Sequence, residues 1–293
     1  MKFVTFSHLG RVKVGRLVED DATIVDLSAV ATGMLDLIER HAALGDKTRG
    51  FDDPALPRIA LAEARLLAPI PRPARNVFCV GKNYREHAQE FSRSGFDASA
   101  GSGAAVPDLP IIFSKPPSSV SGPGDAIDSS LDSLDSVDYE AELTIVIGRR
   151  GRVGPGDDPW DFVFGYTLVN DVTSRELQKR HKQWLLGKGI DGFCPMGPAI
   201  VTRAALPDIG AARLTCHVNG ELRQSAPVSD LIFDIPTLVK TIGRGITLEP
   251  GDLIATGTPA GVGIGFLPPR YLKRGDVVRI ELAGIGVLEN PVA

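Results

Sequence analysis

The stretch 137–147, Val-Asp-Tyr-Glu-Ala-Glu-Leu-Thr-Ile-Val-Ile, limits what this chain can become more than any other. Its β-branched run reads as a strand. Side chains alternate faces along a strand, so Glu140, Glu142 and Thr144 share one side and Ala141, Leu143, Ile145 and Ile147 take the other. Two carboxylates side by side repel, and burial raises that cost steeply. The acidic face is therefore either solvated or occupied by a hard divalent cation that suits oxygen ligands, namely Mg²⁺, Mn²⁺ or Ca²⁺. A second strand-like run, 162–171, ends in Asp171, and strand ends commonly collect the polar groups of a site. That third acid favours the cation.

Composition narrows the class. The 293 residues make one large domain, or one large and one small. A formal net charge of −4 gives no electrostatic footprint for nucleic acid or an anionic membrane. No apolar run approaches the ~20 residues that span a bilayer, and residues 1–8 do not read as a signal peptide. Cys79, Cys194 and Cys216 are far apart and lack metal-ligand spacing, which suits a reducing cytoplasm and packed, unreactive thiols. With 32 glycines and 22 prolines in turn-like positions, many short strands are expected rather than a helical bundle.

Residues 1–70 read as a small N-terminal unit, with strands at 2–6, 11–17 and 22–27 and helical spacing at 34–40. Its histidines, His8 and His41, are explained by surface or loop positions. Pro69, Pro71 and Pro73 then form a stiff boundary before a larger domain, 71–293. In that domain 76–81 is a short strand and 82–90 is helix-like. His87 and Glu90, three apart, fall on one helical face, where a carboxylate can orient an imidazole as a general base or simply form a surface pair. The small-residue segment 92–109 reads either as a lid or as an ordinary loop. Lys115, at the end of a strand over 111–120, faces a site or solvent. Asp171, Arg175 and Gln178 are spaced as one helical stripe. Arg175 can hold a carboxylate bidentately, and Gln178 can bond a carbonyl. The helix is expected to close at 184–187, leaving Lys188 in a glycine-flanked turn, where an ammonium could offset charge developing on an enolate.

The last third reads as short strands, including a hairpin across Asn219-Gly220 with His217 in a structural position, and a helix over 231–239 with Pro236 in its first turn. Thr256-Gly257-Thr258-Pro259 follows a strand and can offer a hydroxyl and N–H groups to an anion. Gly261-x-Gly263-x-Gly265 superficially suggests a dinucleotide loop, but Pro268-Pro269 stand where a helix should begin, so a nucleotide is rejected.

The chain resembles the fumarylacetoacetate hydrolase superfamily over most of 70–293. The resemblance is carried by the segments 80–90 (VGKNYREHAQE), 138–143 (DYEAEL), 170–175 (NDVTSR), 192–198 (GFCPMGP) and 248–263 in order. It implies an α+β, β-rich fold with a mixed β-roll core, a small α/β N-terminal domain and a homodimer. It also implies Glu140, Glu142 and Asp171 as metal ligands, usually for Mg²⁺ or Mn²⁺, and His87 with Glu90 as a water-activating dyad on a closing lid. Arg175, Gln178, Lys188 and Thr258 would contact or support the substrate. Lys82 stands where the family commonly has an apolar residue, Gly189 where a serine often follows the lysine, and Gly243 in place of a common serine.

From this we expect a cytoplasmic, metal-dependent hydrolase that cleaves a carbon–carbon bond in a 2,4-dioxo acid, with His87 activating water and Lys188 supporting the pyruvate-type enolate. Its alternatives use the same site for decarboxylation of a 2-oxo diacid such as oxaloacetate, or for keto–enol or double-bond isomerisation of a hydroxymuconate-like acid. A reading from another class is a non-catalytic protein whose acids hold a metal only for stability.

Overall fold

The computed structural model describes residues 1–44, 50–51, 53–96 and 106–293. In chain order the main elements are β1 (Lys2–His8), β2 (Arg11–Val18), β3 (Thr23–Asp26), α1 (Met34–Leu44), β4 (Arg58–Ala60), β5 (Val77–Gly81), α2 (Arg85–Arg93) and β6 (Ile111–Lys115). There follow β7 (Ala141–Ile147), β8 (Val163–Asn170), α3 (Arg175–His181), α4 (Leu185–Lys188) and β9 (Cys194–Thr202). The last are β10 (Arg213–Val218), β11 (Glu221–Pro227), α5 (Ile235–Gly243), β12 (Leu253–Ala255), β13 (Val277–Leu282) and β14 (Gly286–Pro291). The fold is β-rich with few helices, as expected.

A mixed sheet runs in the order β4-β3-β2-β1-β9-β8-β7-β12-β5-β6. A four-stranded antiparallel sheet, β11-β10-β13-β14, supplies the second layer. Side chains from both meet in the larger core, where Leu143, Ile145 and Ile147 of β7 join Leu214, Cys216, Ile280 and Leu282. Each such buried side chain contributes roughly 1.5–3 kcal/mol relative to exposure. Val146 packs into a second cluster with Phe3, Leu37, Val169 and Ile200. Strand β7 is buried along its whole length, covered on both faces. The acidic face is thus interior, which removes the solvated reading.

The first seventy residues extend this sheet: β1 pairs antiparallel with β9 through Lys2–Val201 and Phe3–Ile200. The prolines at 69–73 lie between the two chain segments, which share one hydrogen-bonded sheet. His41 departs from its expected surface or loop position. It lies on α1, with its ring 5.2 Å from that of Phe164 and 5.9 Å from Phe3. The three cysteines are free and buried. Among the described residues no helix is long and apolar enough to cross a membrane. Of the segment 92–109, residues 97–105 lie outside the described residues, and with them the question of a lid there.

Candidate active site

The register of β7 against β8 brings the three acids together. Ala141 faces Asn170 and Glu142 faces Val169, and beyond the ladder the Asp171 N–H donates to the Glu140 carbonyl at 2.8 Å. One carboxylate oxygen from each of Glu140, Glu142 and Asp171 falls within 4.8 Å of the others, all buried. The single strand expected over 137–147 is interrupted. Val137 and Asp138 pair with Ser174 and Thr173 in a separate two-stranded ladder, and β7 starts at Ala141.

Three buried cations knit this cluster. Lys188 Nζ donates to Glu140 Oε2 at 2.8 Å, Asp171 Oδ2 at 2.7 Å and Thr173 Oγ1 at 2.8 Å. Arg175 Nη1 lies 2.7 Å from Glu140 Oε1, and its Nε donates to Asp138 Oδ2 at 2.8 Å. Lys115 Nζ donates to Asp171 Oδ1 at 2.7 Å, to Val172 O at 3.0 Å and to the Lys188 carbonyl. Burial alone would raise the Glu140 carboxyl, but Lys188 and Arg175 outweigh it and hold it below the ordinary range. The same attractions keep Lys188 and Arg175 firmly protonated despite their burial.

Glu142 differs. Among the described residues no lysine or arginine pairs with it; its Oε2 accepts the Gly257 N–H at 2.8 Å. Burial, and next the Asp171 and Glu140 carboxylates, push its carboxyl well above the ordinary range. Glu142 is thus the one acid of the cluster that Lys115, Arg175 and Lys188 leave unpaired, and it sits where three carboxylate oxygens converge. A hard divalent cation fits this donor set.

The cleft above the acids is small, with about 20 Å³ of free volume, and is lined by His87, Phe91, Arg175, Gln178, Lys188 and Thr258 among others. Helix α2 carries His87 and Glu90 as expected, though it starts at Arg85 rather than Lys82. Asn83 is pinned before it, donating to Thr256 O at 2.8 Å and accepting from Phe233 N at 2.8 Å. His87 Nδ1 lies 3.2 Å from Glu90 Oε2. Arg175 Nη2 is buried without a hydrogen-bond partner among the described residues, a donor that could serve a ligand carboxylate. The Thr258 hydroxyl accepts from Gln224 Nε2 at 2.8 Å. That leaves its own hydrogen to donate.

Other expectations are corrected. Asp171 is not on the helical stripe: the Ser174 side chain caps α3, which begins at Arg175, so only Arg175 and Gln178 share that face. The helix does not run on to 187. It stops where Lys182 takes a left-handed φ of 58°, and Lys188 ends the separate short helix α4 instead of lying in a turn. The Gly257 N–H and the Thr256 hydroxyl, expected to be free for an anion, go to Glu142 and to Leu143 O. Asp138 was not singled out from the sequence, although its position two residues before Glu140 follows the same alternation. Lys115, left open, points inward.

A buried acid triad that could hold a divalent metal ion, the cationic side chains of Arg175 and Lys188, and the His87 imidazole thus meet at one small cleft. The family model for the fumarylacetoacetate hydrolase C-terminal domain matches residues 76–293, and the chain belongs to this family, whose members are enzymes. It is 42% identical, over the whole of both chains, to oxaloacetate tautomerase YisK of Bacillus subtilis. The solved fumarylacetoacetate hydrolase of Exiguobacterium antarcticum matches with a TM-score of 0.85 and 42% identity, covering 100% of this chain and 99% of that one. Maleylpyruvate hydrolase of Sphingobium sp. SYK-6, solved with manganese(II) and pyruvate, matches with a TM-score of 0.79 and 30% identity over 100% and 99% of the two chains.

Proposed function

We propose that this protein interconverts the keto and enol forms of a 2-oxo diacid of the oxaloacetate type, with Mg²⁺, or alternatively Mn²⁺ or Ca²⁺, held by Glu140, Glu142 and Asp171. The observation that carries the reading is the full-length kinship with an oxaloacetate tautomerase at 42% identity. It favours the isomerisation alternative over carbon–carbon hydrolysis, the main expectation from sequence. The cation, when bound, supplies Lewis-acid stabilisation of negative charge at the C2 oxygen.

The chain's own residues then need only move one proton. With Nδ1 tied to Glu90, His87 has Nε2 left to take a proton from C3. The C3–H electron pair becomes the carbon–carbon double bond, the carbonyl pair moves to oxygen, and a proton returned to that oxygen completes the enol. Ketonisation runs the same path backwards. Arg175 Nη2 binds the substrate carboxylate, Gln178 and Thr258 hold its polar edge, and Lys188 keeps positive charge beside the developing enolate. Phe91 and Phe113 pack on Trp184 with ring centroids 6.2 and 5.1 Å away, a wall that limits water. A homodimer is part of the same proposal and is checked by light scattering.

The test follows decay of enol-oxaloacetate absorbance above the uncatalysed rate, with Mg²⁺ or Mn²⁺ and with EDTA. Pyruvate release from oxaloacetate and from a panel of acylpyruvates is measured in parallel. Metal-dependent acceleration without pyruvate supports the tautomerase. Pyruvate from acylpyruvates without acceleration makes the enzyme a hydrolase, and pyruvate with CO₂ from oxaloacetate makes it a decarboxylase.

A further inference from the structure

The glycine-rich run Gly261-x-Gly263-x-Gly265 binds no nucleotide on the argument above, yet each of its glycines is required by a contact. A Cβ on Gly261, which has φ +103°, would lie 1.9 Å from the Arg223 carbonyl oxygen. On Gly263 it would lie 2.4 Å from the Arg270 carbonyl oxygen and 2.6 Å from Asp138 Oδ1. On Gly265 its three nearest neighbours would all belong to Glu90: Oε1 at 1.9 Å, Cδ at 2.3 Å and Cγ at 2.7 Å.

The amides of the loop face two acids. The Gly261 N–H donates to both Glu90 carboxylate oxygens, at 3.0 and 3.3 Å. The Gly263 and Ile264 N–H groups donate to Asp138 Oδ1 at 2.7 Å and Oδ2 at 3.0 Å. Asp138 in turn holds Arg175, and Arg175 holds Glu140. One five-residue loop therefore spans from the imidazole's carboxylate on α2 to the acids of the sheet.

We infer that loop 261–265 is the seat that positions the His87–Glu90 pair over the acid triad, with Gly261 and Gly265 as positioning residues that act through Glu90. The Gly261 amide fixes the Glu90 carboxylate, and the missing side chain at Gly265 makes room for it. The loop's far end is anchored to Asp138, so the imidazole and the cation-binding floor share one reference. The inference rests on His87 acting as the proton-transfer base.

Gly265→Ala tests it. The three atoms nearest the added methyl all belong to the flexible Glu90 side chain, so Glu90 is the group expected to shift. Expected is a fall in kcat for oxaloacetate enolisation of at least tenfold, with KM changed less than threefold and Mn²⁺ affinity unchanged. Amide exchange across Arg85–Arg93 should quicken. In a Glu90→Ala background the same substitution should cost less than a further twofold, because nothing is left to displace. Gly245→Ala, where a Cβ meets nothing within 4 Å, serves as the control. Full activity in Gly265→Ala, or an undiminished loss in the Glu90→Ala background, overturns the inference. If the wild-type protein does not enolise oxaloacetate, the functional proposal fails, and the exchange comparison still decides whether α2 rests on this loop: unchanged exchange in Gly265→Ala overturns the seat by itself.

Discussion

Replacing Lys115 by Met probes the charge balance beneath the site without touching the cleft. The Lys115 ammonium is fully buried and donates to Asp171 Oδ1 at 2.7 Å, to Val172 O at 3.0 Å and to the Lys188 carbonyl. Met keeps most of the stem and removes all three donors. Asp171 is left with Lys188 as its remaining buried cation. Breaking a buried ion pair by removing one partner costs about 3–5 kcal/mol, and each carbonyl left without its donor costs about 1–3 kcal/mol. Because Lys188 still serves Asp171, the low end of each figure applies, about 3 kcal/mol for the ion pair and about 1 kcal/mol for each of the two carbonyls, about 5 kcal/mol together. For a chain of this size 1 kcal/mol moves Tm by about 2 °C, so thermal melts in EDTA should fall by roughly 10 °C. Saturating Mn²⁺ should shrink the loss, since a cation at Glu140, Glu142 and Asp171 restores positive charge beside Asp171. The exposed Lys240→Met is the control, expected within about 0.5 kcal/mol of wild type. A Lys115→Met melt within about 2 °C of wild type in EDTA, or the same loss with and without Mn²⁺, would refute the reasoning.

Three further outcomes are expected. Glu142→Gln should lower Mn²⁺ affinity by at least about tenfold, because one of three carboxylate ligands is gone, while metal-free stability holds or rises, because burial and the neighbouring carboxylates disfavour a charge there and Gln keeps an acceptor for the Gly257 N–H; isothermal titration and EDTA melts check both. His87→Ala should reduce enolisation by about 10²–10⁴-fold and leave Mn²⁺ binding intact, and loss of both would contradict the roles assigned. Burial would raise the Asp26 carboxyl, but hydrogen bonds from Lys13 at 2.6 Å and Ser28 N at 2.9 Å prevail and hold it below its ordinary value. Such a group stabilises the fold above its unfolded pKa, and that stability is lost as pH falls through the folded one. Asp26→Asn should therefore cost about 1–2 kcal/mol at pH 7 and much less near pH 3, and equal losses at both would contradict it.

The acid triad was legible because strand alternation needs only neighbouring residues: Glu140 and Glu142 are two apart at the start of β7, and Asp171 directly follows β8, the strand paired with it. His87 and Glu90 were legible for the same reason, at helical spacing. What escaped depends on contacts distant in sequence. Lys115 reaches Asp171 from 56 residues away, and Arg175 is aimed by Asp138 across 37. The break after α3 turns on a single left-handed residue, Lys182, which no propensity marks. The joining of β1 to β9 is a pairing across nearly two hundred residues, invisible to local pattern. The glycines at 261, 263 and 265 were visible as a motif, but their meaning lay in Arg223, Arg270 and Glu90, which only the folded chain brings near.

The buried cations have a consequence for how such a protein is made. Proteins whose acidic or thiolate ligands lack counter-charges stay unfolded until metal arrives. Here Lys115, Arg175 and Lys188 already pair with every acid of the cluster except Glu142, so on the proposed metal reading the chain can mature before an ion is bound. If the proposed metal requirement holds, a cell short of the ion would stockpile intact but dormant protein, and resupply would switch that reserve on without new synthesis.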